Sequence, residues 1–349
     1  MRELIIAGQR IADDTPAFTI AEIGHNHQGD IETCKRLIVA SWQAGFSAVK
    51  LQKRHNRTLY TRAMYDQPYT SEHAFGSTYG AHREALEFDF ADYSELKTFC
   101  ASLPIIFFAT AFDWRSVDFL YKLGMPAIKI ASGDLSNIPL LSYAVTTQLP
   151  LIISTGAADM VDVERAANAV LGRKAALLQC TAAYPAAFDQ LNLRVIQTYR
   201  ERFPERVIGL SAHDNGIAMA VAAYALGARM IEKHVTLDRT MKGSDHAFSL
   251  EPAGQRKLIR DLKRVYLAMG DGQKKCLPEE APALAKMGKS IYTRHRILKG
   301  QIIEDSSLTL LSPGGGLPAW RYFDICGKRA GCDLEQGELI PAEALEWEA

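Results

Sequence analysis

Several classes of protein are excluded by what this sequence lacks. Its six cysteines, Cys34, Cys100, Cys180, Cys276, Cys326 and Cys332, are scattered and form no CxxC pair. That argues against a disulfide framework or a zinc site and for reduced thiols. No stretch approaches the roughly 20 apolar residues of a membrane span. The opening Met1-Arg2-Glu3-Leu4-Ile5-Ile6-Ala7-Gly8 has no signal-peptide layout, so a cytoplasmic protein is expected. Neither sign of charge is in excess, with 40 Lys+Arg against 40 Asp+Glu. The chain therefore lacks the broad positive field that would favour nucleic acid or an anionic membrane. A small anionic substrate would have to be held by local cations.

What is present is enough apolar material, 48% of 349 residues, for one large domain and a small one. Short apolar or β-branched runs recur at 18–23, 48–52, 105–109, 127–130, 151–154, 176–179, 207–211 and 230–233, most of them separated by helical patterns. Eight strand–helix units imply a parallel sheet closed into a (β/α)₈ barrel. In the first helix Asp30 is placed to cap the N-terminus, Leu37, Ile38 and Trp42 to face the core, and Gly45 to end it. One link, 53–92, is long and rich in Tyr, His, Arg and Ser; its aromatics and Gly76/Gly80 favour an ordered lid over disorder. The barrel is expected over 1–275 and a linker marked by Pro278 and Pro282 over 276–284. A small unit with a weak internal repeat (Gly300 to Leu308, Gly337 to Leu345) is expected over 285–349.

In such a barrel the active site forms at the C-terminal ends of the strands. Here those ends carry, in order, Glu22 with Asn26 and His27; Lys50 and Gln52; Thr110; Lys129, Ser132 and Asp134; Ser154 and Thr155; Thr181 and Tyr184; Ser211 and His213; Glu232 and His234. Lys50 and Lys129 interrupt apolar runs, so each must be paired or must face a polar cavity. A structural ion pair or a Schiff-base role stands beside phosphate and carboxylate binding as the reading of both. His213 and His234 close neighbouring strands and can converge on one divalent metal; a general base or a hydrogen-bonded core histidine is the plainer alternative. His25 and His27 alternate in sequence and rank below them. Asp245, in the polar loop around His246, stands where it can help hold a water on a metal.

The segments Ala21-Glu22-Ile23-Gly24-His25-Asn26-His27-Gln28-Gly29, Lys50-Leu51-Gln52, Ala131-Ser132-Gly133-Asp134, Gln179-Cys180-Thr181-Ala182-Ala183-Tyr184-Pro185, Gly209-Leu210-Ser211-Ala212-His213, Glu232-Lys233-His234 and Gly243-Ser244-Asp245-His246 together resemble the sialic acid synthase (N-acylneuraminate synthase) family. The tail is similar to that family's antifreeze-like (SAF) domain. Pro68-Tyr69-Thr70-Ser71 and Thr78-Tyr79-Gly80 look closest to the animal-type enzymes, which use the 6-phosphate of N-acetylmannosamine. The resemblance implies condensation of phosphoenolpyruvate with a mannosamine-type sugar or its 6-phosphate, with phosphate released by C–O cleavage. It assigns His213 and His234 to Mn²⁺ or Mg²⁺. Lys50, Thr110, Lys129, Ser132 and Ser211 fall to phosphoenolpyruvate, Glu22 and Asp134 to protons or reacting oxygens, and Gln52, Tyr184 and Asp245 to the sugar or the metal's water. It also implies a homodimer with swapped SAF domains. Two positions depart from the bacterial pattern: Ala182 replaces an Asn, and Ser312 stands where an Arg precedes Pro-Gly. Rival readings are a pseudaminic or legionaminic acid synthase, a lysine-dependent barrel aldolase, and a catalytically silent carbohydrate- or ice-binding protein.

Overall fold

A computed structural model describes residues 2–345; the outermost ends of the two expected domains, Met1 and 346–349, lie outside that range. The chain divides into two compact units, Met1–Gly270 and Asp271–Ala349.

In the first unit eight parallel strands close into a barrel: β3 (Phe18–Gly24), β4 (Ala48–Lys53), β5 (Ile106–Ala111), β6 (Ile128–Ile130), β7 (Leu151–Ser154), β8 (Ala175–Cys180), β9 (Val207–Ala212) and β10 (Met230–His234), with β10 pairing back onto β3. Every expected run became a strand, within two residues at each end. The runs are buried on both faces, as parallel strands wrapped by helices must be. The first helix, Ile31–Ala44, starts at Asp30, whose side chain accepts from the Thr33 amide at 2.8 Å, and stops at Gly45 with φ 93°. Leu37 and Ile38 are buried, and Trp42 packs at the edge of the same core.

Two-residue alternation divides the barrel interior into layers. Reading inward-facing residues up the strands gives Phe18, Ile20, Glu22; Ala48, Lys50, Gln52; Ile106, Phe108, Thr110; Ala127, Lys129; Ile152, Ser154; Ala176, Leu178, Cys180; Val207, Gly209, Ser211; and Met230, Glu232, His234. The lower members form one buried apolar cluster, while the upper members line a cavity. The outward-facing set, such as Ala21, Ile23, Val49 and Leu51, packs against the helices.

The floor of the barrel is an element the sequence reading missed. Strands β1 (Glu3–Ile6) and β2 (Gln9–Ala12) form an antiparallel hairpin around Ala7 and Gly8, with φ 48° and 80°. Two successive left-handed residues are the turn that matches strand twist. Leu4, Ile6 and Ile11 enter the lower apolar cluster and seal that end.

The long link after β4 is ordered. It contains helices Asn56–Leu59, Arg62–Asp66 and Tyr79–Glu84, held by contacts such as Tyr60–Tyr79 (5.1 Å between centroids) and Tyr69–His82 (4.7 Å). Gly80 lies flat on Tyr65, where a Cβ would come within 2.4 Å of the ring.

The second unit contains β11 (Ser290–Thr293) paired antiparallel with β12 (Leu308–Leu311). Its internal repeat is structural: Gly300 and Gly337 are both left-handed (φ 79° and 75°), each is followed by a 3₁₀ turn (Asp305–Ser307, Ala342–Ala344), and Leu308 and Leu345 enter one small core. The segment read as a linker carries a 3₁₀ turn, Pro278–Glu280, and the start of a helix, Ala281–Met287. Each unit has its own apolar core. Deletion of 271–349 is therefore expected to leave the barrel folded, with a single cooperative thermal transition by circular dichroism. A truncated chain without that transition would show that the barrel depends on the tail.

Candidate active site

The polar upper layers of the barrel enclose a cavity of about 520 Å³. Eleven of the twelve residues singled out from the sequence line it: Glu22, Lys50, Gln52, Thr110, Lys129, Ser132, Tyr184, Ser211, His213, His234 and Asp245. Asp134 does not. It sits on the 3₁₀ turn Ser132–Asp134, and its carboxylate accepts from Asn137 Nδ2 at 3.1 Å, which ties it to the start of the next helix.

At the bottom two lysines share carboxylates. Lys50 Nζ lies 2.5 Å from Glu22 Oε2, donates to Thr110 Oγ1 at 2.8 Å and stands 3.7 Å from Glu232 Oε1. Lys129 Nζ lies 3.8 Å from the same Glu232 oxygen and donates to Ser154 Oγ at 2.6 Å. Ser211 donates to Glu232 Oε1 at 3.0 Å. Parallel pairing explains the convergence, since Lys50 is in register with Glu22, Lys129 with Thr110 and Glu232 with Ser211. All four charged groups are buried, and the titration of Glu22, Glu232 and Lys129 is displaced. Burial works against the charge of Glu232, but Lys129 and Lys50 outweigh it and hold the carboxyl at about 2. Burial lifts Glu22 above the ordinary carboxylate range despite Lys50, and Glu232 adds to the rise. Burial lowers Lys129 against the pull of Glu232.

The opposite wall holds the two imidazoles. The rings of His213 and His234 are 5.3 Å apart, and Tyr184 covers His213 at 4.2 Å. Both pKa values fall to about 4, chiefly through burial, so both rings are neutral at physiological pH. His213 Nδ1 faces the Thr181 carbonyl at 2.9 Å, which fixes the proton there and leaves the Nε2 lone pair free. His234 Nδ1 is buried without a hydrogen-bond partner, 3.7 Å from Asp245 Oδ2. Among the described residues no group of three or more His, Cys, Asp or Glu is placed to enclose a metal. The fit is to a two-imidazole site with open positions: two neutral nitrogen donors, one of them orphaned, beside a carboxylate.

Several other residues line the cavity, among them His25, which had ranked below His213 and His234 as a metal ligand. Glu232 had been noted at a strand end without a role. His25, Arg54 and Arg83 form the upper wall; Arg54 and Arg83 belong to the long link, where no periodicity marks them. His25 and His27 differ as their alternation suggests. His25 faces the cavity, whereas His27 stacks on Phe88 at 4.2 Å and accepts from the Gly29 amide. Asn26 braces the site by donating to the Val235 carbonyl and Ser249 Oγ. Ala182 presents only a methyl to the cavity. In the second unit Ser312 donates to the Met287 carbonyl and accepts from Lys289. A second buried lysine–carboxylate pair, Lys233 with Asp214 at 3.1 Å, lies off the cavity.

Residues 37–274 match the NeuB family. N-acetylneuraminate-9-phosphate synthase of Mus musculus is 38% identical over 342 residues, covering 97% of this chain and 95% of the mouse protein. N,N'-diacetyllegionaminic acid synthase of Legionella pneumophila is 35% identical over 337 residues, covering 94% of each. The crystal structure of N-acetylneuraminic acid (sialic acid) synthetase from Leptospira borgpetersenii superposes with a TM-score of 0.72 at 32% identity, covering 81% of this chain and 95% of that one.

Proposed function

Because the chain belongs to the NeuB family, we propose that it is a nonulosonate synthase that joins phosphoenolpyruvate to an open-chain mannosamine-type sugar and releases inorganic phosphate. The observation that carries this reading is the pairing in one cavity of two buried lysines with two neutral imidazoles.

Lys50 and Lys129, with the hydroxyls of Thr110, Ser132 and Ser211, hold the phosphate and carboxylate of phosphoenolpyruvate at the bottom of the cavity. Their charges are balanced by Glu22 and Glu232 until the donor arrives. Gln52, Tyr184 and Asp245 orient the sugar above it. A divalent cation, Mn²⁺ or Mg²⁺, held by His213 and His234, would supply Lewis-acid polarisation of the aldehyde oxygen. Carbon 3 of phosphoenolpyruvate then attacks the aldehyde carbon, and water adds at carbon 2. The tetrahedral centre collapses with cleavage of the C–O bond to phosphate. Glu22, whose carboxyl is lifted by burial, exchanges the proton at the incoming water. The second unit is read as an antifreeze-like domain that covers the partner's barrel in a homodimer. No helix of the described residues is long and apolar enough to cross a membrane, and a cytoplasmic site of action fits a substrate drawn from central metabolism.

The test is phosphate release from phosphoenolpyruvate with a panel of mannose, N-acetylmannosamine, their 6-phosphates and bacillosamine-type sugars. Release is expected only with an amino sugar present. Phosphoenolpyruvate labelled with ¹⁸O at the bridging position is expected to deliver the label to phosphate, because in this reading water adds at carbon 2 and the C–O bond then breaks. Label retained in the sugar acid would mean P–O cleavage and would overturn these assignments. The lowered pKa of Lys129 also suits a Schiff base. Borohydride with a pyruvate-like donor is expected to leave the chain unmodified, and a reduced adduct on Lys129 would favour the aldolase.

A further inference from the structure

A charged pair is buried on the helix-facing side of the barrel, next in sequence to the two imidazoles. Lys233 points away from the cavity, since Glu232 and His234 on either side of it line the cavity. Its outward neighbours Ile231 and Val235 join the core beneath the helices. Lys233 is 1% exposed, and its Nζ lies 3.1 Å from Asp214 Oδ1 and donates to the Asp214 carbonyl at 2.6 Å. Asp214 is wholly buried, and its Oδ2 has no hydrogen-bond partner.

As a means of holding two strands together this pair is poor. Desolvation of two charges offsets most of their attraction, and well-packed apolar side chains of similar volume hold a core at least as well. The orphaned Oδ2 adds to the penalty. What an ion pair offers that an apolar contact does not is a fixed distance and direction.

The two imidazoles need that direction. The ladder between β9 and β10 ends with Lys233 opposite Ala212, so His213 and His234 each stand one residue beyond the last rung. Past that rung, among the described residues, no backbone hydrogen bond joins the two segments. The His234 carbonyl accepts from the Leu250 amide, the Val235 amide donates to the Glu22 carbonyl, and the His213 carbonyl accepts from the Ala186 amide. Each of these bonds ties one segment to a different neighbour. The Lys233 side chain crosses the gap, from the residue before His234 to the residue after His213. It holds the backbone carbonyl of Asp214 as well as the carboxylate, so it locates the chain at His213 and does more than balance a charge.

We propose that Lys233 and Asp214 are positioning residues, a clasp that fixes the separation of His213 and His234 and thereby sets the affinity of the site for a divalent cation. This rests on the two-imidazole reading of the metal site above. The Thr181 carbonyl, 2.9 Å from His213 Nδ1, orients one ring; the clasp sets the spacing of the two backbones that carry the rings. Neither Lys233 nor Asp214 lines the cavity, so phosphoenolpyruvate does not sense the clasp once the cation is bound.

The experiment measures Mn²⁺ binding to the substrate-free protein by electron paramagnetic resonance, beside thermal melts and the KM for phosphoenolpyruvate at saturating Mn²⁺. The deciding variant combines Lys233→Met with Asp214→Leu, which exchanges both charges for apolar groups of similar volume. It is expected to melt close to the wild type and to keep the wild-type KM. Its Mn²⁺ affinity should fall about tenfold to a hundredfold, the scale on which groups behind metal ligands act. Lys233→Arg, which keeps the charge and the pairing, should retain most of the affinity. If the double variant does not fold, Lys233→Gln carries the same comparison below its own melting temperature. Wild-type Mn²⁺ affinity in the double variant, or in Lys233→Gln, overturns the clasp and leaves both histidines as ligands. Weaker Mn²⁺ binding accompanied by a raised KM for phosphoenolpyruvate also overturns it, because the whole end of the barrel would then have moved. No Mn²⁺ binding by the wild type overturns the metal site and the clasp with it.

Discussion

Replacing either His213 or His234 by alanine is expected to abolish turnover, by at least about a hundredfold, the scale on which removal of a preorganised charge-stabilising group is felt. Chelation of the wild type is expected to do the same, with Mn²⁺, Mg²⁺ or Co²⁺ restoring it. The two neutral rings and the partnerless His234 Nδ1 make this the most sensitive point in the cavity. A cation that binds only the folded protein must also raise its melting temperature. That rise should appear in the wild type and vanish in both alanine variants, a readout independent of catalysis. Acid should compete with the cation. Both imidazoles have folded-state pKa values near 4 against an ordinary value of 6.5. The unfolded chain therefore binds more protons than the folded one between those values. Each ring costs the metal-free protein stability as the pH falls from about 6.5 towards 4, and contributes no such penalty above that window. Full activity in a chelated sample would end the assignment, as would a cation-induced rise in melting temperature that persists in both variants.

Lys50→Ala and Lys129→Ala should each reduce kcat/KM for phosphoenolpyruvate about tenfold to a hundredfold. A charge-assisted contact to a buried anion is worth about 1.5–3 kcal/mol, and the loss grows if the charge also acts at the transition state. Each variant should lose stability as well, because Glu232 leans on both ammonium groups and would be left with one. Removal of one partner of a buried ion pair costs about 3–5 kcal/mol. Lys233→Ala separates the two effects. Its ammonium pairs with Asp214 outside the cavity, so that variant should melt earlier while its KM for phosphoenolpyruvate stays at the wild-type value. Unchanged kinetics in both Lys50→Ala and Lys129→Ala, with Lys233→Ala impaired, would mean that the anion is held elsewhere.

Much of this architecture was legible because a barrel strand is a local signal. A run such as Leu151–Ser154 is short, apolar and bounded by turns, and its upper inward position falls two residues above an apolar one. Lys50 and Lys129 stood out for the same reason, as charges at positions where a strand buries everything. The hairpin Glu3–Ile6 and Gln9–Ala12 was missed although Leu4 and Ile6 alternate and Ala7-Gly8 turns. A two-stranded ribbon is marginal alone, and nothing local reveals that a barrel floor awaits it. Arg54 and Arg83 were missed for a different reason. Arg54 lies in irregular backbone just past β4 and Arg83 in the six-residue helix Tyr79–Glu84, both too short of regular structure to show a period, and only the fold brings them to His25. Asp134 is the opposite case. Its place after β6 suggested a reacting group, but the turn that follows gives its carboxylate to Asn137.

The hairpin that plugs the floor of the barrel also sets an order of traffic. With Leu4, Ile6 and Ile11 filling the lower end, whatever reaches Lys50 and Lys129 must enter and leave through the same upper opening. If Lys50 and Lys129 hold phosphoenolpyruvate as proposed, it would have to arrive before the sugar above it. The phosphate left behind would be trapped beneath the newly made sugar acid until that product departs. Inorganic phosphate would then be the last species out, in the seat the next phosphoenolpyruvate must take.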